Sequence, residues 1–320
     1  MARPVFYLII LVLAAIVAYA YKLRTEGIFA CGADGYYASS DAYLAYCHAS
    51  AYGDYDHGAV WFGLEPEAQY FAANAEVLFV GSSRMQFAFS TTATDEWFSA
   101  AAVPHYLLGF SHTENLSFIA PLLQKLKPRA KVYVINVDRL FDEVETGPGS
   151  EVLHRAGAAR HYKEKKLWQP AHRLICTRLP AVCGNQHAFF RSREHGHWTH
   201  AGTPESAPTP TAEDAISKQD QWGRYASLAE EFISKLPVGR SCVLLTIVPS
   251  SATKGAEAQA IADAVGLDLV NPRLAGLRTF DGSHLDSSAA ERWSKAFFDA
   301  AGPRILRCLG RDGRPAVPIP

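Results

Sequence analysis

The chain has 320 residues, of which 48% are hydrophobic and 20% charged, enough for one large domain or two small ones with a sizeable core. Its formal net charge of -1 lacks the basic excess of a nucleic-acid binder, so no nucleic acid is expected as a partner.

The first element is apolar. Arg3 precedes an almost unbroken hydrophobic run from Val5 to Ala20, closed by Lys22 and Arg24. The run has no polar face, which argues against a buried helix of a cytoplasmic core. With Tyr19 and Tyr21 at an interface it suits a short spanning helix. Residues 1–24 read as a signal anchor or, because Ala18-Tyr19-Ala20 resembles a peptidase site, as a cleaved signal peptide. The expected location is the bacterial inner membrane, single-pass with a periplasmic domain, or the periplasm or medium after cleavage. Cysteines in an exported chain suit disulfides. Neighbours in sequence suggest Cys31 with Cys47 and Cys176 with Cys183, which leaves Cys242 and Cys308. Buried free thiols are the alternative. Lipid attachment at Cys31 is disfavoured, because Lys22, Arg24 and Glu26 separate it from the apolar run.

Residues 25–75 form a Tyr-rich cap, helical or irregular, with Tyr36, Tyr37, Tyr43, Tyr46, Tyr52 and Tyr55. Such aromatics can line a sugar-binding surface, but core packing is their commoner use. From Glu76 short apolar runs at 77–80, 105–108, 132–135, 242–248 and 267–270 read as strands buried on both faces. Helical patterns at 114–126, 256–265 and 288–301 lie between and after them, the last with Ser288 and Glu291 as a capping box. The expected fold class is α/β: a flavodoxin-like three-layer α/β/α arrangement with a five-stranded parallel sheet, preceded by the N-terminal helix. Its ligand crevice would lie at the carboxyl ends of the strands. This domain spans 76–310, with a helical insertion at about 142–236, a lid over the strand ends, and a tail at 311–320. Within the insertion, residues 202–211 form a Thr/Pro-rich loop, after which Thr211 opens a helix toward Leu236.

Two motifs carry chemistry. Val80-Gly81-Ser82-Ser83-Arg84 follows a strand and opens a helix; Gly81 permits the sharp turn, and the helix start aims backbone N–H groups toward Ser83. A tight structural turn would look the same. Asp281-Gly282-Ser283-His284 precedes the last helix, with a spacing that lets a carboxylate reach an imidazole across a turn. A helix N-cap with an incidental His is the plain alternative. A serine needs a base, and the base needs an acid to fix its tautomer. Ser83, His284 and Asp281 supply those three types. A phosphate-binding loop would need more glycine and a Lys, which Gly81-Ser82-Ser83-Arg84 lacks.

The layout resembles the SGNH/GDSL hydrolases, which place a nucleophilic serine after the first strand and Asp-x-x-His before the last helix. The resemblance covers about residues 76–305 apart from the insertion. It implies Ser83 as nucleophile, His284 as base and Asp281 as its partner. The oxyanion hole would be formed by the N–H groups of Ser83 and Gly109 and by an asparagine of the third block. Here the third strand ends Val134-Ile135-Asn136-Val137-Asp138, so register from the strand end puts Asp138 at that place and a two-residue shift puts Asn136 there. A carboxylate would repel an oxyanion unless paired, and Arg84 beside the nucleophile is the expected partner of Asp138. Ser111, His112, Glu114 and Asn115 follow the second strand as substrate-contact or positioning residues, or simply as a helix start.

His195, His197 and His200 are of a type that zinc favours, but no carboxylate or Cys stands at a characteristic interval. They read as a polar lid loop; no metal and no cofactor are expected. The expected function is an exported serine esterase or O-acyltransferase. Its partners would be an acylated, above all O-acetylated, envelope or secreted polysaccharide, the inner membrane, and envelope polysaccharide-modification proteins. The alternative is a catalytically degenerate SGNH domain that binds glycan or assists assembly, favoured by the altered third block and by the absence of the family's usual Asp after Gly81, where Ser82 stands.

Overall fold

A computed structural model describes residues 3–32, 41–47, 50–111, 113–201, 209–212 and 221–311. Tyr36, Tyr37, His112 and residues 202–208 of the Thr/Pro-rich loop lie outside them. The chain divides into two compact units.

The smaller unit comprises Met1–Leu64, Gly157–Arg191 and Trp198–Thr203. Its first helix, Arg3–Thr25, has 23 residues and is exposed along the apolar run. At 1.5 Å per residue it is about 34 Å long, enough to cross a bilayer core, and an N-terminal signal sequence would share that trait. The Tyr-rich stretch, expected to be helical or irregular, contains the strand Ala42–Cys47 and the short strand Gly53–Asp54 as well as a helix, Asp56–Trp61. A two-stranded hairpin is marginal alone. Strands Ala188–Ser192 and Trp198–Ala201 extend it to a four-stranded sheet. Residues 157–191 and 198–201, part of the expected insertion, group with the N-terminal stretch. Tyr43, Tyr52 and Tyr55 are buried, as core packing requires. Arg191 pairs with Asp56 at 2.6 Å with both side chains fully buried, and the Tyr43 hydroxyl donates to the same carboxylate. Cys31 is bonded to Cys47 and Cys176 to Cys183.

The larger unit comprises Glu65–Ala156, Ser192–His197 and Pro204–Pro320. Its sheet has five strands: β1 (Val77–Ser82), β2 (His105–Phe110), β3 (Val132–Asn136), β4 (Val243–Thr246) and β5 (Leu269–Val270). All pairs are parallel, in the order β5-β4-β3-β1-β2. Every residue of β1 to β4 is buried, which explains the unbroken apolar runs. Five helices matter for the site: α1 (Ser83–Ala88), α2 (Thr91–Ala101), α3 (Leu116–Leu126), α4 (Gly255–Ala264) and α5 (Ser287–Cys308). Val77, Phe79, Leu107 and Val134 pack with Phe89 of the α1–α2 link and with Trp293, Phe297 and Phe298 of α5. Phe89 meets Trp293 and Phe297 edge-on, with centroids 5.2 and 4.9 Å apart. Each such ring contributes roughly 1.5–3 kcal/mol on burial.

α5 begins one residue earlier than expected and runs to Cys308. Its cap is Asp286, whose carboxylate accepts from Ala289 N–H at 2.8 Å, whereas Glu291 pairs with Lys295. The Ser288–Glu291 capping box does not form, because Asp286 already satisfies the first turn. Cys308 is bonded to Cys242 across 66 residues. In the chain-entropy picture a loop of that length is worth about 4 kcal/mol. Thr211 does not open a helix. The adjacent Thr209–Pro210 pairs antiparallel with Arg278–Thr279, and the helix begins at Trp222.

Candidate active site

Ser83 stands at the first position of α1, directly after β1, with Ser82 as the N-cap. The N–H groups of a helix's first turn have no partner inside the helix. Gly81 is required by packing: a Cβ there would come within 2.9 Å of the Asn136 Cβ and 3.2 Å of the Met85 sulfur. α1 is held from both ends. The Gln86 amide donates to the carbonyls of Leu107 and Gly109, at 3.1 and 3.0 Å. Ser294 of α5, fully buried, donates to the Ala88 carbonyl and accepts from Ser90 N–H.

Ser83 and His284, 201 positions apart in the chain, close to one contact: His284 Nε2 lies 2.9 Å from Ser83 Oγ. His284 Nδ1 lies 2.6 Å from Asp281 Oδ2. The other carboxylate oxygen accepts the backbone N–H groups of Ser283 and His284, at 2.9 and 2.8 Å. Gly282 takes φ +81° inside this turn, a conformation that favours glycine. Its carbonyl accepts from both the amide and the hydroxyl of Ser251, in the loop after β4. The imidazole is bracketed by Phe87, edge-on at 4.8 Å, and Phe280, stacked at 5.6 Å. Phe87 lies one helical turn beyond Ser83, so a single short helix presents both the hydroxyl and one wall of the ring's slot.

Burial raises the Asp281 pKa, but hydrogen bonds and charge from His284 and the two backbone N–H groups prevail and lower it to about 2. The folded value lies below the ordinary 3.8, so the stabilisation is complete above 3.8 and lost as pH falls toward 2. The expected result is that Asp281→Asn is less stable than the parent chain near neutrality and that the gap narrows through this acid window. Urea unfolding across that range measures it, and a gap independent of pH contradicts the assignment.

The third strand resolves into two roles. Asn136 ends β3, fully buried beside Gly81, and its side-chain Nδ2 has no hydrogen-bond partner among the described residues. Asp138, two residues on, is paired: Arg84 Nη1 lies 2.6 Å from its Oδ2, and Arg84 Nε donates to Ser283 Oγ at 2.9 Å. Burial pushes the Asp138 carboxyl up, and the Arg84 guanidinium works against that. Arg84 thus links the serine helix, the third strand end and the Asp–His turn.

Gly109 is placed differently from expectation. β2 continues through Phe110, so Gly109 is a strand residue in register with Gly81, not the first residue of the following turn. Its lack of a side chain is explained by packing, since a Cβ would meet the Ser82 carbonyl at 2.7 Å. Ser111 is buried just beyond. Glu114 and Asn115 serve the start of α3: Asn115 Oδ1 accepts from Ser117 N–H, and Glu114 accepts from Thr146 Oγ1 and Asn115 N–H.

A cavity of about 640 Å³ adjoins this constellation, with Arg84, Asp138, Arg139, Asp142, Tyr225 and Lys254 among its lining residues. Its size suits a small ligand, and its walls offer charged and hydroxyl groups to a polar one. Sequence reasoning missed Phe87, Phe280, Ser251, Tyr225 and Lys254. Only Phe87 had a readable signal, its helical spacing from Ser83.

His200 lies on the strand Trp198–Ala201 opposite Phe189, and His195 and His197 belong to the larger unit. They approach Asp95 and His105, about 100 residues earlier in the chain. No protein-family profile matches the chain, and neither does any curated protein or solved structure.

Proposed function

We propose that the larger unit is an SGNH/GDSL-type serine hydrolase or O-acyltransferase. The observation that carries this reading is the hydrogen-bonded series Ser83–His284–Asp281. The strand order supports it: counted along the chain it is 2-1-3-4-5, the flavodoxin-like order, with the serine turn at the carboxyl end of β1.

In this reading His284 Nε2 takes the Ser83 proton as Oγ attacks an acyl carbonyl, and Asp281 holds Nδ1–H and the ring orientation. The tetrahedral oxyanion faces the Ser83 N–H and the Asn136 amide. His284 then gives the proton to the departing alkoxide, leaving an acyl-serine. Water, deprotonated by the same imidazole, completes hydrolysis; a sugar hydroxyl in its place completes transfer. The apolar N-terminal helix and the disulfides suit an extracytoplasmic domain, and the polar cavity suits carbohydrate. The substrate class is therefore O-acylated, in the first place O-acetylated, envelope or secreted polysaccharide.

The degenerate-domain reading drew on the carboxylate of the third block and on the Ser82 that stands where the family has Asp. The Arg84–Asp138 pair weakens the first objection, and the unpartnered Asn136 amide supplies the donor that was missing. A fluorophosphonate probe discriminates the two, because only an activated serine reacts. The expected result is labelling of the full chain that disappears in Ser83→Ala; no labelling of a folded chain rejects the enzyme. Asn136→Ala is expected to lower kcat about 10²–10³-fold with little change in KM, as loss of one oxyanion donor does. Steady-state kinetics on an acetyl ester would show it.

A further inference from the structure

A second cluster lies at the other end of the sheet. Asp95 comes from α2, His105 is the first residue of β2, and His195 lies in the segment Ser192–His197 of the same unit. One ligand atom from each lies within 4.8 Å of the others. Asp95 Oδ1 and His105 Nε2 are 3.4 Å apart. Tetrahedral zinc with bonds near 2.05 Å holds its donors about 3.3 Å apart, so this pair already has the required span.

The independent observation is His105. Its side chain is only 3% exposed, and its Nε2 has no hydrogen-bond partner among the described residues, with Asp95 Oδ1 3.4 Å away. A buried imidazole nitrogen left without a partner is costly, and a cation on the Asp95 side would satisfy it. The ring is held in place by a stack on Phe98, with centroids 4.0 Å apart and planes 12° off parallel. His197 lies 3.0 Å from Asp95 Oδ1 and orients that carboxylate, as outer partners of metal ligands do. His195 stacks on the His105 ring, with centroids 4.8 Å apart and planes 6° off parallel, so binding the ion requires the His195 ring to turn its nitrogen out of that stack. Asp95 and His195 are about one-third exposed, at 33% and 34%, which leaves an entry path and room for that turn and for a water as fourth ligand. Two imidazoles and a carboxylate suit zinc among the divalent ions.

We propose that Asp95, His105 and His195 form a zinc site that fastens the segment Ser192–His197 to the edge strand β2. The same segment already holds to that strand, where the His195 carbonyl accepts from Leu107 N–H at 2.9 Å. The register pairs His105 with Val77 and Phe110 with Ser82. The site therefore stands five residues, about 16 Å, from the strand end that bears Ser83, and its role is structural.

The test uses the full chain in detergent, purified without a polyhistidine tag and stripped with chelator. Co²⁺ is titrated in while its visible d–d band is followed, Zn²⁺ is used in competition, and bound metal is counted by elemental analysis. The expected result is one ion per chain, bound at least about 100-fold more weakly by both His195→Ala and Asp95→Asn. Zn²⁺ should raise the Tm of the parent chain but not of these variants, and fluorophosphonate labelling should be unchanged. Asp95→Asn keeps the shape of the side chain, so the test does not hang on one variant folding. No stoichiometric binding, or binding that both variants retain at parental affinity, overturns the proposal.

Discussion

Ester turnover is expected to fall about 10⁶-fold in Ser83→Ala and about 10⁴-fold in Asp281→Asn, with the fold intact in both. The two numbers differ for a reason visible in the geometry. In the proposed reading, removing the hydroxyl removes the nucleophile. Exchanging the carboxylate for an amide leaves the turn in place, because Asn can still accept the two backbone N–H groups that Asp281 accepts. What it loses is the negative oxygen 2.6 Å from His284 Nδ1, and with it the tautomer that leaves Nε2 free to take the serine proton. Kinetics on a chromogenic acetyl ester, with circular dichroism as a fold control, measures both effects. Parental turnover in Ser83→Ala means that another group does the chemistry. A drop in Asp281→Asn of less than tenfold means that His284 does not depend on it.

Arg84→Ala is expected to destabilise the larger unit by about 3–5 kcal/mol, the usual cost of leaving a buried charge without its partner. Asp138 is 2% exposed at its side chain with Arg84 in place, so its charge rests on the guanidinium. Adding Asp138→Asn should recover most of the loss, since a buried amide is neutral. The pH dependence has a definite sign. Burial raises the Asp138 pKa, and without Arg84 nothing nearby opposes that as strongly, so the folded variant binds a proton more readily than the unfolded chain. Its stability deficit should shrink as pH falls. Arg84→Ala should also slow ester turnover, because Arg84 Nε holds Ser283 inside the Asp–His turn. Denaturation midpoints of the single and double variants test the pair. A single variant with the parental midpoint and unimpaired turnover dismisses it.

Much of the larger unit was legible because its strands are buried on both faces and so appear as plain apolar runs. All five expected strands occur, with ends displaced by one or two residues. Those displacements matter where a single residue carries chemistry. β2 runs two residues past Leu108, which takes Gly109 out of the turn and into the ladder. The end of β3 offered both Asn136 and Asp138, and periodicity could not choose between them. The choice depends on a side chain of α1, Arg84, that draws Asp138 to itself. The smaller unit was less readable because its sheet joins strands about 140 residues apart, and Ala42–Cys47 has no strong local pattern without its partners. The His195–His197 segment was unreadable for the same reason: its carboxylate, Asp95, belongs to a distant helix.

The turn from Asp281 to His284 completes its own wiring. Two amides and one ring nitrogen all terminate on one carboxylate within four residues. The 2.9 Å reach from Ser83 Oγ to Nε2 depends instead on how α1 and the strand ends sit in the core. Softening of the interior, by heat or by a distant cavity, would therefore lengthen the second link first. Such a protein would lose the Ser83–His284 contact while the Asp281–His284 couple stayed spectroscopically whole, so wear should begin at the serine.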